Sequence, residues 1–254
     1  MPTPSNIKGG ERLPRFVPQW LKRRIETDIF LLYDFAAEAG ASIPAGSLVL
    51  DAGAGEGRFK EDFSHTLYFA TDSTVGDQAW DYTNLDVLSD LILLPFGSHV
   101  FDAVFCSQVL EHVAEPLSVT REISRVIKPG GRLYLTAPQS WPQHQKPNDF
   151  FRYTSFGLRH LFNRAGLRTE SIKPMGGYFW YLSFQLQNIN FWLFPSGMPG
   201  RKWTWPIRGL FGLVFQLFLP LILYNLDSLD RQKDETLGYL CIAHKPNPED
   251  EYQG

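Results

Sequence analysis

The sequence predicts an α/β domain, a doubly wound and largely parallel sheet covered by helices on both faces. Three observations carry that prediction. From Leu48 onward, short apolar runs alternate with amphipathic stretches, the pattern of strand–helix units. Three glycines at alternate positions, Gly53, Gly55 and Gly57, directly follow the first apolar run, where a strand-to-helix turn must fall. The chain of 254 residues, 44% hydrophobic and 20% charged, suits one domain with an insertion and is cramped for two.

Each element follows in order. Pro2, Pro4, Pro14 and Pro18 mark an irregular arm, and a helix over residues 20–39 sets Leu21, Ile25, Ile29, Leu32 and Phe35 on one face. Gly40 is placed to end that helix, so residues 1–46 read as arm plus helix. Strands are expected at 48–52, 67–71, 85–89, 103–107 and 133–137, with helices from about Gly57, Glu115 and Thr154. A strand at 168–172 and a last one at 236–244 complete the sheet. The domain then comprises 47–177 and 227–247, with residues 178–226 inserted before the last strand.

Composition excludes several classes. A formal charge of −3 gives no general reason to expect a nucleic-acid partner. Two cysteines, Cys106 and Cys241, exclude a disulfide scaffold, a Cys-rich zinc site and an iron–sulfur cluster. They suit a reducing compartment, and the opening residues lack the apolar core of a secretory signal, so a cytoplasmic location is expected.

The chemistry concentrates in Leu48-Val-Leu-Asp-Ala-Gly-Ala-Gly-Glu-Gly-Arg-Phe59. An apolar strand ends in Asp51, and the glycines let the backbone approach a ligand where a β-carbon would intrude. The dinucleotide fingerprint has a small residue where this chain has Arg58, so the spacing differs from a pyrophosphate loop. Asp72, 21 residues past Asp51, ends the second strand, where a carboxylate can accept both hydrogens of a ribose diol. The alternative is that three glycines only make a tight turn.

From about Leu48 to Pro138 the chain resembles the class I S-adenosylmethionine-dependent methyltransferases, of the type 11 kind. The resemblance also rests on Asp90-Leu-Ile-Leu-Leu-Pro-Phe96 and on Phe101-Asp-Ala-Val-Phe-Cys-Ser-Gln-Val-Leu-Glu-His-Val113. It continues through Arg121-Glu-Ile-Ser-Arg-Val-Ile-Lys-Pro-Gly-Gly-Arg-Leu-Tyr-Leu-Thr-Ala-Pro138. It implies a three-layer, seven-stranded Rossmann-like sheet with its last strand antiparallel, and S-adenosylmethionine as cofactor. Asp51, Gly53, Ala54, Gly55 and Gly57 would hold the methionine end and Asp72 the ribose. Asp90 would accept from the adenine amino group, the Leu91 backbone would read the ring edge, and Cys106 and Ser107 would border the sulfonium. No Asn-Pro-Pro-Tyr or Asp-Pro-Pro-Tyr follows the fourth strand, which disfavours transfer to a nucleobase amine. Glu111 and His112 fall where certain quinone O-methyltransferases of this class carry a metal-associated acid cluster. Two ligands are too few, so no metal is expected and both residues read as a helix start packed on the sheet.

The segment from Pro138 to Thr154 enters the mouth of the expected pocket. His144 is its best general base, since an imidazole titrates close to neutrality. Asp149, Arg152 and Tyr153 are candidates to orient His144 or a polar substrate; the alternative is that Asp149 and Arg152 brace the loop. The His-x-x-Pro-x-Asp-x-x-Arg-Tyr-Thr pattern also resembles bacterial methyltransferases associated with surface glycans. Thr154 should cap the helix ending at Gly166.

Residues 178–224 hold fourteen aromatics, three basic residues (Arg201, Lys202, Arg208) and no acid. The uncharged run 209–226 is about as long as a hydrocarbon core is thick, but Pro220, Gln216 and Asn225 interrupt it. Interfacial contact with a membrane or lipid fits the composition; a lid or homodimer face, or a spanning helical pair, are the alternatives. The expected activity is methyl transfer to a hydroxyl of a small, amphiphilic or lipid-linked glycan at the inner membrane face. A quinone-like apolar acceptor and a non-catalytic cofactor-binding regulator are the rival readings.

Overall fold

The computed structural model describes residues 13–14, 16–76, 79–195 and 201–249. Pro2 and Pro4 of the expected arm, and the side chains of Arg201 and Lys202, lie outside the described residues. The chain divides into two compact units. One comprises Leu31–Lys173 and the segment from Gly238; the other comprises the described residues up to Phe30 with Pro174–Leu237.

The first unit is built on seven strands in the order β3-β2-β1-β4-β5-β7-β6. They are β1 (Leu48–Ala52), β2 (Leu67–Asp72), β3 (Val87–Leu88), β4 (Phe101–Ser107), β5 (Ile127–Pro138), β6 (Arg168–Pro174) and β7 (Gly238–His244). Strands β1 to β5 pair in parallel, and β7 lies antiparallel to β5, with Leu135 opposite Cys241. The doubly wound, seven-stranded Rossmann-like architecture expected from the sequence is therefore present. Alternation along the buried strands sends successive side chains to two cores. Leu50, Val104, Cys106, Leu133 and Leu135 face one of them, packed by Val119 and Ile123 of α3 (Pro116–Val126) and Leu158 and Phe162 of α4 (Ser155–Arg164). Val49, Phe105 and Tyr134 face the other, against Phe35, Ala36 and Ala39 of α2 (Thr27–Ser42) and Phe63.

Three expectations need correcting. The helix expected over residues 20–39 is two helices, α1 (Gln19–Ile25) and α2, which break at Glu26. Gly40 does not end α2; a β-carbon there would stand 2.1 Å from the Asp62 carbonyl oxygen, so glycine is required for close packing. The helix expected from Gly57 is only a 3-10 turn at Lys60–Phe63, because positive φ angles at Gly53, Gly55 and Gly57 hold the preceding chain in a loop. Elsewhere, the Thr154 hydroxyl accepts from the Gly157 N–H and caps α4 as expected.

The second unit carries the inserted helices α5 (Tyr178–Gln187), α6 (Ile189–Leu193), α7 (Trp205–Gly212) and α8 (Leu219–Leu226). Pro220 does not interrupt the apolar run: Trp205–Leu229 is continuously helical. A π-helical segment, Leu213–Phe218, precedes the proline. Its wider turn accommodates the ring and the missing N–H that would break a regular helix. Within this unit Trp180 stacks on Tyr224 at 5.3 Å, and buried Asp227 accepts from the Gly177 N–H and pairs with Lys233.

Candidate active site

The carboxyl ends of β1, β2 and β4 bring the glycine loop, Asp51 and Asp72 together. The Gly53 and Ala54 N–H groups both donate to the Thr71 carbonyl, at 2.9 and 3.0 Å, which pins the loop against the end of β2. Gly53 has φ +84°, and a β-carbon on it would lie 2.4 Å from a Val109 methyl, so the loop touches the segment after β4. A β-carbon on Gly55 would meet the Trp80 ring at 3.1 Å. Asp72 joins the two motifs directly: one oxygen accepts the Gly55 N–H at 3.0 Å and the other the Thr74 N–H at 2.7 Å.

Asp51 is buried, and its Oδ2 accepts the Tyr68 hydroxyl at 2.5 Å. Burial pushes its carboxyl up to about 7; the Tyr68 bond opposes this and the Asp72 charge adds to it. Asp90 stands exposed after β3, with one oxygen on the Ile92 N–H at 3.0 Å. No hydrogen bond among the described residues joins it to the glycine loop, although Ser89 beside it bonds Thr71 at 2.7 Å. The Leu91 side chain is buried in the core.

Two expected contacts with the cofactor or substrate change character. The Cys106 thiol points into the core with Leu50 and Val104, and burial raises its pKa far above the ordinary value. It cannot border a ligand through its side chain, because strand alternation turns it inward. The Ser107 hydroxyl, one residue on, bonds Thr136 at 2.9 Å and remains only half-buried. Tyr153 is likewise buried, and its hydroxyl donates to the Leu110 carbonyl at 2.7 Å, so it braces the loop rather than meeting a substrate.

Arg152 also braces. Its guanidinium grips Asp149 through two bonds of 2.6 and 2.9 Å and donates to the carbonyls of Trp141, Phe151 and Pro142. Burial would raise the Asp149 carboxyl, but Arg152 and the His144 backbone N–H overcome it and hold it at about 2. Asp149 thus positions His144, accepting its N–H at 2.8 Å. Burial lowers the His144 imidazole below its ordinary value against the pull of Asp149, so the ring is neutral near pH 7.

The loop delivers His144 to a partner with which the sequence argument had not paired it. His144 Nε2 lies 3.1 Å from His112 Nε2, beside the fully buried Glu111. Glu111 and His112 form a 3-10 turn after β4, and the Glu111 carbonyl accepts the Phe150 N–H at 2.8 Å. Two potential ligands have become three. Val109, Tyr68 and Trp80 were also missed: each is an apolar or aromatic residue whose place at the site depends on strand register or loop path.

Residues 50–135 match the family described as a methyltransferase domain. The ubiquinone biosynthesis O-methyltransferase of Xanthomonas axonopodis pv. citri is 31% identical over 112 residues, which are 39% of this chain and 46% of that protein. The matched stretch therefore spans under half the length of that curated relative. Among solved structures, the cyclase SpnF superposes with a TM-score of 0.54 at 19% identity, covering 87% of this chain and 82% of that one. The Burkholderia thailandensis 1,6-didemethyltoxoflavin-N1-methyltransferase, solved with S-adenosylhomocysteine, gives 0.51 at 15% identity, over 92% and 93%. At those identities the superpositions establish the fold. The strand order is that of the class I methyltransferase fold, and residues 50–135 within it match the methyltransferase-domain family.

Proposed function

We propose that the chain transfers the methyl group of S-adenosylmethionine to a hydroxyl of a small amphiphilic acceptor, a lipid-linked glycan being the leading class. The observation that carries the reading is the Asp72–Gly55 bond, which ties an acid suited to a ribose diol to a glycine loop built for close approach. The donor is a cation without phosphate, and the buried Asp51 at the loop's base suits its ammonium end. Asp90 and the Leu91 backbone take the adenine, and the half-buried Ser107 lies toward the reacting centre.

In the reaction the acceptor oxygen attacks the methyl carbon in line, a C–O bond forms, the C–S bond breaks, and the electron pair leaves with the neutral thioether. Positioning supplies most of the rate, and the hydroxyl proton must go to a base. His144 supplies it: Nδ1 faces the Pro142 carbonyl at 3.1 Å, so a neutral ring carries its lone pair on Nε2. The Asp149–Arg152 pair holds that ring in place.

The lipid-linked class draws on the second unit. Trp203 and Trp205 are 89% and 72% exposed, and Ile207, Leu210, Phe218 and Ile222 are exposed with them. Aromatics with Lys and Arg and no acid suit the headgroup level of a membrane. A second reading, a quinone-like phenol, is favoured by the named activity of the Xanthomonas relative. Isotopically labelled methyl donor, incubated with protein and membrane extract, tests both: label in a polar, glycan-bearing lipid supports the first, and label in an apolar phenol ether supports the second. Cofactor binding with no labelled product in any extract would overturn the enzymatic reading in favour of a regulatory one.

A further inference from the structure

Glu111, His112 and His144 form a cluster that cofactor binding does not explain. His112 Nδ1 lies 2.6 Å from the Asn148 carbonyl oxygen, and His144 Nδ1 lies 3.1 Å from that of Pro142. A carbonyl only accepts, so each ring carries its hydrogen on Nδ1 and, when neutral, a lone pair on Nε2. Those two Nε2 atoms stand 3.1 Å apart. Lone pairs at that distance repel unless a positive species, a proton or a metal ion, lies with them.

The third member makes the same demand. Glu111 is fully buried and neither of its carboxylate oxygens has a hydrogen-bond partner. A buried carboxylate left unpaired is strongly unfavourable. Its Oε1 lies 3.8 Å from His112 Nε2, and one ligand atom from each residue falls within 4.8 Å of the others.

We propose that Glu111, His112 and His144 hold a divalent transition-metal ion of the zinc class, with one coordination position open. Bonds of ~2.0–2.1 Å in a tetrahedron place neighbouring ligand atoms roughly 3.3 Å apart, and the observed 3.1 and 3.8 Å bracket that spacing. Each imidazole rests its other nitrogen on a backbone carbonyl, the outer partner that fixes tautomer and ring orientation in His-ligated metal sites. Two imidazoles and one carboxylate suit zinc and its first-row neighbours better than magnesium or calcium. Asp149 and Arg152, the charged pair behind the cluster, neutralise each other and leave Glu111 to balance the ion.

The cluster opens on one side, where the His112 and His144 side chains are 13% and 26% exposed. An acceptor oxygen bound there would lose its proton more readily, as oxygen ligands of a metal do. This deepens the methyltransferase reading: in the loaded protein His144 is a ligand, and only the ion-free protein leaves its Nε2 to act as a base.

The test uses the full chain, stripped with chelator and titrated with Co2+ and then Zn2+. One site per chain is expected, with visible cobalt absorption that zinc abolishes. Glu111→Gln and His144→Ala should each weaken binding by about a hundredfold or more, while His160→Ala, on an exposed helical position, changes nothing. Since Glu111 is buried, its variant is checked by circular dichroism, and His144→Ala in the loop keeps the test decisive if it misfolds. No site, or a site whose affinity neither variant alters, overturns the proposal. Zinc binding without methyl transfer would fail the enzymatic reading alone; methyl transfer unaffected by chelation would remove the ion from the chemistry.

Discussion

The Tyr68 hydroxyl donates to Asp51 Oδ2 across 2.5 Å and is the bond that most favours the ionised form of this buried acid. It does not offset burial: the Asp51 carboxyl titrates at about 7, against 3.8 ordinarily. In the free protein the folded state therefore holds a proton that the unfolded chain has released. Stability falls as pH rises between about 4 and 7 and is level outside that window. A cationic ligand end beside Asp51 favours the ionised form, so cofactor binding should expel a proton and strengthen as pH rises through 7. Calorimetry in two buffers of different ionisation enthalpy reads that proton directly. Tyr68→Phe should move the pH dependence upward; an affinity independent of pH from 6 to 8 would remove Asp51 from the contact.

Asp72→Ala should weaken S-adenosylhomocysteine binding roughly tenfold to a hundredfold, since a hydrogen bond to a charged acceptor contributes ~1.5–3 kcal/mol. The variant loses more than a ribose contact, because Asp72 also holds the Gly55 and Thr74 N–H groups. Asp72→Asn keeps one acceptor oxygen and should fall between the two. NAD serves as the control ligand in the same titration, and preferential NAD binding would overturn the cofactor assignment.

Much of this was legible before any coordinates. Period-two and apolar patterns located every strand, because buried parallel strands must be apolar throughout, although β3 shrank to Val87–Leu88. The glycine loop, Asp51 and Asp72 are consecutive or lie at a family spacing, and the fold did place them together. What escaped were partners set by register and by loop path. Tyr68 reaches Asp51 because Val49 pairs with Tyr68 and Asp51 with Ala70, which puts both side chains on one face. His144 reaches His112 only through a loop held by Asp149 and Arg152, and no periodicity reports such a path. Gly40 was misread because a glycine required by a neighbour's carbonyl looks, in sequence, like a helix stop.

Gly53→Ala tests the close approach. The new methyl would meet Val109 at 2.4 Å with φ at +84°, so both sterics and backbone strain oppose it. A loss of ~1–3 kcal/mol in urea denaturation is expected. Val109→Ala in the same chain should recover the steric part and leave the ~1–2 kcal/mol of backbone strain. A fully stable single variant would show that the loop can relax away from the segment after β4.

His144→Ala should lower turnover ~10²–10⁴-fold, the usual reach of a general base, while S-adenosylhomocysteine affinity stays near that of the parent. Asp149→Asn should lower turnover less, because it loosens the ring without removing it and weakens the Arg152 clamp. Full turnover in His144→Ala on the native acceptor would make the residue part of the loop's architecture only.

The exposed apolar helices of the second unit make a prediction independent of the catalytic chemistry. Trp203 and Trp205 flank the start of a helix, Trp205–Leu229, that is long and apolar enough to cross a membrane by length and composition. A spanning helix and an interfacial one differ in their response to salt, because only the second depends on basic residues meeting anionic headgroups. Residues 178–224 carry basic charges and no acid, within a chain of net charge −3, so the attraction is local. The protein should therefore co-sediment with anionic vesicles at low salt and release as salt is raised, since surface attraction is screened beyond ~10 Å at 0.1 M. Neutral vesicles should bind less, and replacing Trp203 and Trp205 by Ala should weaken binding while circular dichroism stays unchanged. Retention in high salt and alkaline carbonate would instead indicate insertion across the bilayer. A protein that stays in the supernatant at low salt and runs as a tight dimer, lost in the double Trp variant, would make these helices an oligomer surface.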